Sequence, residues 1–174
     1  MNDMNLVIRP ACLDDAPQVR ENCFSMNTLE EVESQIQSNL KLFSQGKVAQ
    51  LVAEVDGIVV GIVSLVRRDH PLQIHRAEIA GLVVHPDYQG WGIARKLVTA
   101  CRQQAQSMGI QILEISCRGG EPAEQIYPKL GFREYGRLPC GLIEPWGEKK
   151  VFDEVYFFQP VGVDDERELN VGEP

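Results

Sequence analysis

The chain is poor in the residues that build metal centres and disulfide frameworks. Its 174 residues include three histidines and five cysteines. His70, His75 and His85 are too few and too badly spaced for a dedicated metal site. Cys12, Cys23, Cys101, Cys117 and Cys140 are odd in number and form no CxxC pair, which excludes a disulfide scaffold and a zinc pattern. They read as small reduced core residues of a cytoplasmic protein. No apolar run approaches the length that crosses a bilayer, so no membrane partner is expected. The start, MNDMNLVIRP, has neither a basic n-region nor an apolar h-region, and no signal peptide is expected. Positive charge is also short: 17 Lys+Arg against 25 Asp+Glu leave a formal net charge of -8. Nucleic-acid affinity comes largely from neutralising phosphates, so nucleic acid is not an expected partner. An acidic surface serves solubility and, more weakly, suits a cationic substrate.

What is present is globular. The chain is 44% apolar and 24% charged, enough for one domain with one substantial core. Residues 1–160 read as that domain. The acidic, aperiodic tail 161–174 is expected to be disordered. LVIRPA predicts a first strand, and Asp14 an N-cap for a short helix carrying Ala16, Val19 and Cys23. TLEE is a capping box at Thr28 and Glu31, followed by Leu29, Val32, Ile36, Leu40 and Phe43 at helical spacing until Gly46. VAQLVAEV and IVVGIVSLV flank Asp56-Gly57, a strong hairpin signal. HRAEIAGLVV reads as a fourth strand; residues 80–84 are all apolar, which predicts a central strand covered on both faces. Ile93, Leu97, Cys101, Ala105 and Met108 form the stripe of a long helix. IQILEISC is a fifth strand and EPAEQIYPKLGF a short helix. FREYGRL and VFDEVYFFQ are two last strands, joined by a loop from Pro139 to Lys150. The order β-α-α-β-β-β-α-β-α-β-β contains a crossover, so part of the sheet is expected to be parallel.

The segment QGWGIA joins the fourth strand to the long helix. Gly90 and Gly92 let the backbone turn sharply and approach a ligand. The helix N-terminus behind them offers unpaired amides and the positive end of a dipole, a ready phosphate site; on the glycines alone, a plain β-α turn in which they only permit tight packing would come first. Arg95 and Lys96 add positive charge. The turn lacks GxGxxG and lacks a closing Gly-Lys-Ser/Thr, so a nucleotide-specific reading has no support.

LVVHPDYQGWGIARKL resembles the acetyl-coenzyme A motif of the GNAT N-acetyltransferases, Q/R-x-x-G-x-G/A, with Gln89, Gly92 and Ala94 at the defining positions. AEQIYPKLGF resembles the family's A-x-x-x-Y-x-x-x-G-F segment. The resemblance covers about residues 6 to 159, and it implies a GNAT fold: a mixed α/β sheet of about seven strands, helices on both faces, and a cleft where strands 4 and 5 splay apart. It implies acetyl-CoA as cosubstrate and no metal. The backbone of Leu82, Val83 and Val84 would pair with the pantetheine arm. The amides of Gly90, Trp91, Gly92, Ile93, Ala94 and Arg95, behind Gln89, would hold the pyrophosphate.

Acetyl transfer to an amine needs a neutral nucleophile, a stabilised carbonyl oxygen and a protonated leaving thiolate. Glu78 is the candidate base. It stands eleven residues before Gln89, a spacing the family uses for this role, and without a bulge the even-numbered side chains from 78 to 84 share one face. The alternative is a strand-end carboxylate paired with Arg76 or simply solvated. An amide near Val83 or Val84 is the candidate for the carbonyl oxygen. Tyr127, where the resembled family often has a tyrosine, is the candidate acid for the thiolate, against a half-buried aromatic whose hydroxyl finds a backbone partner; Pro128 follows it directly and can kink the helix. Gly120 stands where the family often has Asn.

The chain also looks like the small-molecule resistance enzymes of the tabtoxin-resistance type, with GRLP contributing. Those often carry an acidic residue on the fifth strand; here that position falls near Ser116. Glu144, Trp146 and Glu148 in the late loop are candidates to receive a cationic amine, against a plain solvated loop with a packed Trp. Cys117 is read as a buried structural cysteine rather than an acyl carrier. The resulting function is acetyl transfer to a primary amine of a small molecule by direct attack in a ternary complex. A protein N-terminal or lysine acetyltransferase and a non-catalytic acyl-CoA sensor are the alternatives, and homodimerisation stays open.

Overall fold

The structure, a computed structural model, describes residues 5–162. Most of the acidic tail, residues 163–174, lies outside the described residues. Strands β1 (Leu6–Pro10), β2 (Val48–Val55), β3 (Ile58–Arg67), β4 (Arg76–Val84), β5 (Ile112–Arg118), β6 (Arg133–Ile143) and β7 (Val151–Pro160) form one mixed sheet in the order β1-β2-β3-β4-β5-β7-β6. Helices α1 (Ala16–Asn22) and α2 (Leu29–Phe43) cover one face; α3 (Ile93–Ser107) and α4 (Pro122–Lys129) pack on the other. This is the seven-stranded α/β architecture expected from the sequence.

Local chemistry explains most of the elements. Asp56 and Gly57 turn β2 into β3 with φ of 50° and 85°, the positive pair that a two-residue turn matching strand twist requires. At α2 the Thr28 hydroxyl accepts from the Glu31 amide at 3.2 Å, while the Glu31 carboxylate accepts from the Thr28 amide at 2.8 Å. The reciprocal pair satisfies two amides that the first helical turn leaves unbonded. The acid that closes the turn before α1 is Asp15, not Asp14. Its carboxylate accepts from the Cys12 amide at 2.8 Å and from Arg9 at 2.7 and 2.8 Å, so the pairing with Arg9 draws it into the interior.

The sheet separates two apolar layers. Val19, Val32, Ile36, Val52, Val59 and Ile62 fill the layer under α1 and α2. Leu65, Leu97, Cys101, Leu113, Cys117 and Phe157 belong to the larger layer under α3 and α4. The expectation of core cysteines holds for Cys101 and Cys117 but not for Cys12 and Cys140, which are exposed; all five thiols are free. The last hairpin also departs from expectation. β6 continues to Ile143, with an irregularity between Leu138 and Leu142. That bulge takes up Pro139, which has no amide to give a ladder, and Cys140 with its φ of 55°.

Two irregularities of β4 position the site. β4 and β5 run parallel, joined by the α3 crossover, but they pair only at Arg76–Ile112, Ala77–Leu113 and Glu78–Glu114. Beyond Glu78 they part. On its other edge β4 carries one extra residue against β3: Ala80 faces Ser64 and Val83 faces Ile62, so Gly81 and Leu82 together oppose Val63. Gly81 makes this bulge with φ of 60°, a conformation glycine adopts without a Cβ penalty.

Candidate active site

The bulge changes which residues share a face. Ala77 and Ile79 point into the layer under α3, and so do Leu82 and Val84; Val83 packs into the other layer. Glu78 therefore does not share a face with Leu82 and Val84, as an unbulged strand would require. The extra residue reverses the alternation between Ala80 and Leu82. The stretch 80–84 is central in the sheet, yet Gly81 is exposed and Ala80, Leu82, Val83 and Val84 are half-buried. They are uncovered because β5 has turned away from them.

The uncovered end of β4 meets the glycine turn and α4 around a cleft of about 680 Å³. Of the residues singled out in sequence, Leu82, Val84, Gln89, Gly90 and Gly92 line it, with Ile93, Ala94 and Arg95 at the head of α3. Val83 points to the opposite face, and Trp91 is exposed outside the lining. Gly90 and Gly92 have φ of 81° and 77°, and a Cβ on either would meet nothing within 4 Å. It is the backbone conformation, not crowding, that calls for glycine here. Gly92 is the N-cap of α3 and bears no capping side chain, so the first amides of the helix are free to bind an anion. Two side chains tie the cleft together. The Gln89 amide donates to the Val84 carbonyl at 3.3 Å, and the Arg95 guanidinium donates to the Lys129 carbonyl at the end of α4 at 2.8 Å.

Tyr127 closes the cleft from α4. Pro128 lies inside that helix without expelling Tyr127 from the lining. The ring packs edge-on to Phe157, with centroids 5.6 Å apart. Among the described residues its hydroxyl has no hydrogen-bond partner. Burial, with a contribution from Cys117, pushes the phenol up to about 12, so this cleft-lining residue holds its proton at neutral pH. Cys117 beside it has its thiol pushed up to about 11 by burial first and by Glu124 second. A thiol held protonated is a poor nucleophile, which fits the structural role. Gly120, in the position of the family's Asn, adopts φ of 81° and donates its amide to Glu124 at 2.6 Å.

Glu78 stands on the other face, at the point where β4 and β5 separate. It lines a pocket of about 180 Å³ with Arg68, Glu114, Ser116, Tyr135, Glu154 and Tyr156. Its partner is Arg68, at 3.1 Å, not Arg76. Arg76 instead pairs with Glu114 through two hydrogen bonds. Glu114 is not among the sequence candidates, which set the fifth-strand acidic position near Ser116. The strand does carry a buried carboxylate, two residues earlier on the same face. Ser116 donates to a second one, Glu154 of β7, at 2.9 Å. The signal available was a glutamate in the middle of ILEIS, an apolar strand with no reason to bury a charge unless partners await it. The loop candidates are differently placed: Glu144 is paired with Arg118 at 2.5 Å, and Trp146 is exposed rather than packed.

The sequence profile of the acetyltransferase (GNAT) family matches residues 14–132. The chain belongs to that family. Among curated proteins it is similar to spermidine N(1)-acetyltransferase of Escherichia coli K12, with 34% identity over 95 residues, which are 51% of this chain and 47% of that protein. The match thus spans about half the length of the relative. Among solved structures the fold is similar to ribosomal-protein-alanine N-acetyltransferase from Brucella melitensis, with TM-score 0.74, 24% identity, and coverage of 89% and 99% of the two chains. It is also similar to a phosphinothricin acetyltransferase from Sinorhizobium meliloti solved in complex with acetyl-CoA, with TM-score 0.76, 17% identity, and coverage of 91% and 90%. The family match takes in β4, the glycine turn, α3 and α4, so the whole wall of the larger cleft belongs to the GNAT region. No helix among the described residues is long and apolar enough to cross a membrane.

Proposed function

We propose that this GNAT protein transfers acetyl from acetyl-CoA to a primary amine of a small molecule, by direct attack in a ternary complex. One observation carries the reading: the parting of β4 and β5 lies between two pockets of different chemistry. On one face the apolar wall of Leu82 and Val84, the glycine turn and Tyr127 form a cleft suited to a thioester cofactor. On the other face Glu78, Glu114 and Glu154 make a polar pocket suited to an amine. The acyl carbon belongs between them, where the β4–β5 pairing ends.

Each residue then has a task. The unpaired edge of β4 at Leu82, Val83 and Val84 takes the pantetheine arm as it would take a strand. The amides from Gly90 to Arg95, with Trp91, Ile93 and Ala94 in the same turn, hold the pyrophosphate, and Gln89 braces the turn against Val84. Glu78 accepts the proton that leaves the amine nitrogen as the C–N bond forms. Tyr127 gives a proton to the thiolate as the C–S bond breaks. The similarity to a spermidine acetyltransferase favours a polyamine or other small cationic amine as acceptor, in a single domain spanning 1–160.

The test is release of free coenzyme A thiol from acetyl-CoA across a panel of spermidine, other small primary amines, peptides with free N-termini and lysine peptides. Turnover is expected on the small amines. Turnover confined to peptides would replace this reading by protein acetylation, and tight acetyl-CoA binding without turnover on any acceptor would replace it by acyl-CoA sensing.

A further inference from the structure

Glu114 is the most completely bonded carboxylate in the pocket where β4 and β5 part. Its side chain is 6% exposed, and four donors converge on it. One oxygen accepts from Arg76 Nη2 and from the Tyr135 hydroxyl at 3.1 Å; the other accepts from Arg76 Nε at 3.0 Å and Arg68 Nε at 3.3 Å. Burial alone would push its pKa up. The hydrogen bond and charge of Arg76, the charge of Arg68 and the Tyr135 hydroxyl outweigh that, so the net direction is down. The proposed chemistry uses none of these groups directly.

Arg68 connects this carboxylate to the one the proposed chemistry does use. Its Nε lies on Glu114 and its Nη1 lies 3.1 Å from Glu78. Its backbone is fixed as well, since the Arg68 amide donates to the Arg76 carbonyl at 3.0 Å. Glu154 and Tyr156 face the same pocket from β7, but Tyr156 donates to Glu154 at 2.6 Å and neither carries a positive charge. Among the described residues Arg68 is thus the sole ion-pair partner of Glu78. A planar guanidinium with donors on two edges can span two carboxylates; a lysine ammonium on a flexible stem cannot fix both.

We infer that Arg68, anchored by the buried Glu114, is a positioning residue that sets the Glu78 carboxylate at the mouth of the β4–β5 gap. Glu114 acts on catalysis through Arg68, and Tyr135 and Arg76 hold Glu114. The inference rests on the reading of Glu78 as the base, and it adds the part that fixes the base in space. A carboxylate displaced by about an ångström from its proton loses up to roughly 10²-fold in rate, so such an anchor has a catalytic effect without touching substrate.

The experiment is a set of mutant cycles on full-length protein, assayed by thiol release at saturating acetyl-CoA with the best amine of the panel, with thermal melts on every variant. Glu78→Gln alone tests the base; a wild-type kcat there would sink that reading and this inference with it. Given a loss in Glu78→Gln, Glu114→Gln and Arg68→Met are each expected to lower kcat about 10-fold or more while the KM for acetyl-CoA stays unchanged. Arg68→Lys is expected to recover only part of the loss. In the Glu78→Gln background, Glu114→Gln and Arg68→Met are expected to cost less than about twofold further, because the group they position is gone. The melting loss of Glu114→Gln is expected to persist in both backgrounds. Losses in kcat that multiply in full in the double variants, or a wild-type kcat in Arg68→Met, would overturn the positioning role and leave Glu78 as base intact. Arg68 is partly exposed, so its variants report even if Glu114→Gln fails to fold.

Discussion

Tyr127 brings the chemistry down to one side chain. Its ring packs on Phe157, the residue lines the cleft, and its hydroxyl has no hydrogen-bond partner among the described residues. Any chemical role of that phenol rests on its proton, because phenylalanine keeps the packing. Tyr127→Phe is expected to lower kcat by roughly 10²-fold if it protonates the thiolate, with acetyl-CoA affinity measured by calorimetry unchanged. A near-normal kcat would assign the residue to packing alone. Tyr127 was legible in sequence because a motif of fixed spacing carries it. The Glu114–Arg68 contact was not, because it comes from strands that meet only in three dimensions. No spacing within ILEIS announces an arginine arriving from the end of β3.

At the scale of the element, β4 decides what the cleft is. Its alternation was legible as a central strand, but the added residue at Gly81 was not. A bulge depends on how β3 and β4 pair, and a glycine in a strand pattern marks such a place without saying which way the faces turn. The consequence here is specific: Glu78 and Val83 take one face, Leu82 and Val84 the other. Gly81→Val tests this. A Cβ at Gly81 would lie 3.8 Å from Phe24, so space is available, and the cost is the positive φ. Destabilisation of about 1–3 kcal/mol is expected in denaturant melts, together with weaker acetyl-CoA binding as the faces shift. A stable variant with unchanged affinity would show that the bulge does not set the cleft. The capping box of α2 and the Asp56-Gly57 hairpin were fully legible, since both are satisfied by residues close in sequence.

For the molecule as a whole, the fold class could be read from element order, and its response to pH follows from what the fold buries. Burial pushes the thiols of Cys23 and Cys117 up to about 11 and that of Cys101 up to about 12, and the Tyr127 phenol up to about 12. Unfolded, these groups ionise near about 8.5 and 10. Folded values above unfolded ones mean stability that is complete below the unfolded values and lost as pH rises through the folded ones. The carboxyls of Asp15 and Glu114 go the other way: burial raises them, but their arginine partners and hydrogen bonds lower them by more, and the net shift is down. Their contribution is present above the unfolded carboxyl range and is lost as pH falls from there through the lower folded values. Urea midpoints are therefore expected to be highest between about pH 5 and 8 and to decline on both sides. A midpoint flat from pH 8 to 11 would contradict the alkaline half of this account.

The parting of β4 and β5 has one more consequence. Strand edges are ordinarily a hazard, because any passing chain can pair with them. Here the bare edge lies inside the sheet, closed at one end by the three β4–β5 pairs and flanked by the partner strand. Another protein's sheet cannot draw alongside an edge so enclosed. A single slender thread, entering from the open end, can. The opening therefore screens its visitors by thickness before any side chain is consulted.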